Sequence, residues 1–94
     1  MKTILRCNAS IKHGSWDGLI DVLVQQGVVS YVNCSGNVEP LFKLSKLEAL
    51  MPNENRVELT FKDCEGTMVL GFDSHEMRKK FYVALNQARQ TEVR

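Results

Sequence analysis

From Ser74 to Gln90 the apolar residues Met77, Phe81, Ala84, Leu85 and Ala88 recur at helical spacing and form a single stripe. Arg78, Lys79, Asn86, Gln87 and Gln90 occupy the other side. Such a helix must lay its stripe on something. The chain before it offers only strand-like segments, so the rest of the fold has to supply a sheet. Asp73 and Glu76, three residues apart, are placed as the acceptor and the reciprocal carboxylate of a capping box at the helix start.

Directly upstream, Val57, Leu59 and Phe61 alternate with Glu58, Thr60 and Lys62, and Met68, Leu70 and Phe72 alternate with Thr67, Val69 and Gly71. The intervening Asp63-Cys64-Glu65-Gly66 has the length of a hairpin loop. Further strand signals cover Thr3 to Cys7, Leu19 to Val24 and Val28 to Val32, broken at Gly14, Gly18, Gly27 and Gly36, with turns at Gln25-Gln26-Gly27 and Ser35-Gly36-Asn37. Leu41 to Leu44 forms a short strand candidate after Pro40, and Ser45 to Leu50 reads either as a helical turn or as an irregular excursion before Met51-Pro52-Asn53. About six strands followed by one helix predict a mostly β, α+β fold with antiparallel pairing. With 94 residues, 44% of them hydrophobic, the whole chain, 1–94, is expected to form one domain around one core.

Composition narrows the functions. Twelve basic residues against eleven acidic give a net charge of +1, so no general attraction to nucleic acid or to an anionic bilayer is expected. Cys7, Cys34 and Cys64 form no CxxC pair and are expected to be reduced thiols, neither a disulfide framework nor a zinc cage. Met1 to Arg6 contains no apolar run of the secretory kind, and the expected location is the cytoplasm, where the Asn8-Ala9-Ser10 and Asn33-Cys34-Ser35 tripeptides have no glycosylation role. The two histidines, His13 and His75, fall in a predicted loop and near the helix start, the acidic residues follow no ligand spacing, and no GxGxxG or Walker loop occurs. No catalytic residue, metal site or cofactor is therefore predicted. The Arg78-Lys79-Lys80 run reads as a solvated helix face.

Two stretches resemble the pleckstrin-homology family. Trp16, Val22-Leu23, Gly27-Val28-Val29 and Tyr31 are similar to that family's second and third strands. Phe42-Lys43-Leu44, Val57-Glu58-Leu59 and Met68 to Ser74, running into Phe81 to Leu85, are similar to its last strands and closing helix. The helix carries Phe81 where the family usually has tryptophan, and Asp17, Gly18 and Leu19 stand where basic residues often follow the early tryptophan. The resemblance implies an antiparallel β-barrel or sandwich capped by the C-terminal amphipathic helix, with Trp16 and Tyr31 in the core. It also implies a non-catalytic module of the adaptor or scaffold type, with a protein partner or a second copy bound at an open strand edge or beside the helix. The alternative it implies is membrane targeting through an anionic phosphoinositide headgroup gripped by Lys2, Arg6, Lys12 and His13, with Asp17 and Asp21 opposing the anion.

Overall fold

The computed structural model describes residues 3–92. Seven strands, β1 (Thr3–His13), β2 (Trp16–Gln25), β3 (Val28–Val32), β4 (Val38–Lys43), β5 (Leu47–Asn53), β6 (Arg56–Phe61) and β7 (Cys64–Gly71), precede one helix, α1 (His75–Glu92). They form a single antiparallel sheet in the order β4-β3-β2-β1-β7-β6-β5, so the two edges are β4 and β5. The sheet curls on itself far enough for Phe42 of β4 to meet Phe61 of β6, with ring centroids 5.0 Å apart.

Period-two alternation decides which side is buried. Cys7, Ala9 and Ile11 of β1, Val22 and Val24 of β2, Val57, Leu59 and Phe61 of β6, and Met68 and Leu70 of β7 all point to one core. The helix adds Phe81, Ala84, Leu85 and Ala88, and Phe81 packs on Phe72 with centroids 4.9 Å apart. Each fully buried Val, Leu or Phe contributes roughly 1.5–3 kcal/mol. The helix lies against β1, β2, β6 and the 3-10 turn Leu44–Lys46, closing that side of the curl.

Several expectations need correction. Gly18 does not break a strand; it lies inside β2 opposite Ile11. The segment from Ser45 to Leu50 is the end of a 3-10 turn followed by β5, a seventh strand, anchored by buried Leu47. The β6–β7 turn is tighter than the predicted loop: Phe61 pairs with Cys64, and the next pair is Thr60 with Thr67. Residues 65 and 66 therefore bulge out of the ladder, and Gly66 supplies the left-handed φ of +95° that the bulge needs. At the helix start the acceptor is Ser74 Oγ, which receives the Met77 amide at 3.2 Å, and not Asp73, so the Asp73–Glu76 capping box does not form. The β5–β6 turn is tied to α1, with Arg78 Nε donating to the Glu54 carbonyl at 3.0 Å and Glu54 itself in the left-handed region at φ 56°.

Candidate functional site

Of the four residues expected to grip an anion, the structure describes Arg6, Lys12 and His13. Lys2 lies outside the described residues. Arg6 and Lys12 both point away from the core, but six residues along one strand separate them by about 20 Å. Arg6 is occupied by Asp21, to which its Nε and Nη2 donate at 3.0 and 2.5 Å, and that hydrogen bond holds the guanidinium pKa above its usual value. Lys12 faces Asp17 across the β1–β2 ladder. His13 follows Lys12 and so takes the opposite side of β1, half-buried, opposite Trp16.

His13 instead joins a cavity of about 300 Å³ between the edge strand β4 and the β6–β7 hairpin. Its apolar wall is Leu41, Phe42, Phe61 and Met68. The His13 Nδ1 is itself buried and bonds to no group among the described residues. Lys43, Lys46 and Asp63 lie at its mouth. Lys46 Nζ binds Asp63 Oδ2 at 2.6 Å, both side chains being more than half exposed. Lys43 lines the same opening and makes no ion pair among the described residues. The Lys46 hydrogen bond, its charge and then Lys62 lower the Asp63 carboxyl pKa below its ordinary range, which places Lys62 within electrostatic reach of the same carboxylate. Sequence reasoning missed this group because its members are scattered along the chain. The available signal was local and repeated: Phe42-Lys43 and Phe61-Lys62 each set a cation directly after an aromatic.

Two larger depressions lie elsewhere on the described surface. One, of about 370 Å³, separates Ile4 and Leu5 from Lys79, Lys80 and Val83 of the helix. The other, of about 730 Å³, spreads over polar Ser10, Asp21 and Arg56 and the exposed Leu19. Both sheet edges are blunted. β4 contains Pro40, and its pairing to β3 skips Leu41; β5 contains Pro52, and its pairing to β6 skips Glu48. Proline and bulges at an edge remove or misalign the groups that a further strand needs. Trp16 packs against the core and meets Tyr31 edge-on at 5.1 Å; both rings are half-buried, and the Tyr31 hydroxyl donates to Glu39 at 3.1 Å.

Chemistry is sparse. His75 is exposed at the first position of α1. All three cysteines are free, Cys34 and Cys64 exposed and Cys7 buried. Burial, with a smaller contribution from Asp21, pushes the Cys7 thiol up to about 11, so it stays protonated at neutral pH. Among the described residues no group of three or more His, Cys, Asp or Glu is placed to hold a metal, and no helix is long and apolar enough to cross a membrane.

No protein-family model and no curated protein matches the chain. Solved structures do. The PH domain of PfAPH superposes with a TM-score of 0.75 at 16% identity, covering 95% of this chain and 86% of that one. The chain has a PH-like fold. Inner membrane complex sub-compartment protein 3 from Toxoplasma gondii gives a TM-score of 0.70 at 9% identity, covering 95% of this chain and 77% of that one. In this PH-like domain the arrangement matches the expected barrel with its helical cap: curled antiparallel strands first, one closing helix last.

Proposed function

We propose that this PH-like domain is a non-catalytic protein-interaction module, an adaptor or scaffold that receives a partner at the cavity between β4 and the β6–β7 hairpin. The observation that carries the reading is this cavity. It is apolar inside, with Lys43, Lys46 and Asp63 at the rim and His13 and Cys64 also in its lining. The solved PH-like neighbours support the non-catalytic part, since domains of this fold generally work as binding modules. The blunted edges favour insertion of a partner side chain over addition of a strand. Three free thiols suit a reducing compartment such as the cytoplasm.

The test compares the natural domain with Leu41→Glu, which charges the cavity wall, and with the double variant Arg6→Glu and Lys12→Glu on the outer face of β1. Each is used for cross-linked capture in cells and for flotation with phosphoinositide vesicles. The expected result is a specific protein partner that survives the double variant and is lost with Leu41→Glu. Salt-sensitive vesicle binding that the double variant abolishes, with capture indifferent to Leu41→Glu, would replace this reading by membrane targeting.

A further inference from the structure

From the same cavity we infer the chemistry of the partner: a short acidic segment carrying one large apolar side chain, the side chain entering between Leu41, Phe42, Phe61 and Met68 and flanking carboxylates meeting Lys43 and Lys46. The inference rests on the interaction-module reading and specifies its ligand. Size comes first. A cavity of about 300 Å³ lies at the lower end of ligand sites and has room for one large anchor side chain. Charge comes next. The rim carries Lys43, Lys46 and Asp63, and Lys43 is without an ion-pair partner among the described residues. A ligand bearing separate single carboxylates complements such a rim. A polyphosphate headgroup gains nothing from the apolar wall beneath.

The Lys46–Asp63 pair spans the mouth on exposed side chains, so it is a weak, salt-screened tie that an incoming carboxylate can exchange for itself. His13 adds a polar atom to a wall that is otherwise apolar. Its Nδ1 is buried without a hydrogen-bond partner among the described residues.

The probe is a fluorescein-labelled peptide with one central phenylalanine between runs of aspartate and glutamate, read by fluorescence polarisation and by amide chemical shifts of the labelled domain. Expected are shifts confined to residues 41–43, 46, 61–64 and 68, and weakening of about tenfold or more when the phenylalanine becomes alanine. Loss of a similar size is expected in a Lys43→Glu, Lys46→Glu variant, whose exposed substitutions leave the fold intact, and at high salt. Arg6→Glu changes nothing. Equal binding by the alanine peptide, shifts centred elsewhere, or no saturable binding overturns the inference, as does competition by phosphoinositide vesicles that outdoes the peptide. The broader reading fails separately: if the peptide does not bind but Leu41→Glu still removes the cellular partner, the module stands and only the ligand chemistry falls.

Discussion

The two sides of the curled sheet are finished differently. Where α1 lies, Phe81, Leu85, Leu59, Leu70 and Val57 are fully buried, and the β5–β6 turn is pinned to the helix through Arg78 and the Glu54 carbonyl. Between β4 and the β6–β7 hairpin, Leu41 and Phe42 remain half-buried around a space that no described side chain fills. A core that could close on one side has been left open on the other, although the same residue types face both. Apolar surface held at an opening costs solvation without adding stability. The difference separates residues that hold the fold from residues free to meet a partner.

The largest expected effect probes that division directly. Phe81→Ala removes a fully buried ring and its tilted contact with Phe72, and should destabilise the domain by about 3–5 kcal/mol in urea unfolding. Phe42→Ala deletes the same side chain from the open side, where much of its surface already faces the cavity, and should cost only about 1–2 kcal/mol, mainly its contact with Phe61. Equal losses for the two would mean that the opening is core after all. A smaller effect belongs to the helix start: Ser74→Ala leaves the Met77 amide without its acceptor and should cost about 1 kcal/mol, whereas Asp73→Ala, which removes no cap, should fall within about 0.5 kcal/mol of the natural protein.

How much of this was legible in the sequence follows the same division. The closed side writes itself in regular periods: the Met77, Phe81, Ala84, Leu85 and Ala88 stripe, and the alternation of Val57, Leu59 and Phe61 against Met68 and Leu70, each set by one element's geometry. β3 was read to its true ends, Val28–Val32. β5 was not, because an edge strand with Pro52 and a bulge at Glu48 is buried on neither face in a clean alternation. Ser74 and Asp73 are both good caps, and only the backbone chooses between them. The open side was the least legible. Neighbours on one strand look close in sequence yet face opposite ways, which put Lys12 and His13 on different surfaces, while Leu41, Phe42 and Lys43 meet Phe61, Asp63 and Met68 only because the sheet curls.

The smallest expected effect is a titration, and it tests whether the open side can open at little cost. The Lys46 ammonium holds the Asp63 carboxyl below its ordinary value of 3.8, and Asp63 in turn raises Lys46 above its ordinary 10.5. A depressed carboxyl contributes stability that is present above 3.8 and lost as the pH falls through the lower, folded value. A raised ammonium contributes stability that is present below 10.5 and lost as the pH climbs through the higher, folded value. The pair is therefore intact throughout the neutral range. Carbon-13 detection of the Asp63 carboxyl should give a midpoint below 3.8 that returns toward 3.8 in Lys46→Ala and in high salt, with no measurable change in the midpoint of thermal unfolding. A midpoint at or above 3.8 would show that Lys46 is already free in solution. A clear loss of thermal stability in Lys46→Ala would show the reverse, that the tie across the mouth holds the fold, and the cavity behind it would then belong with the closed side.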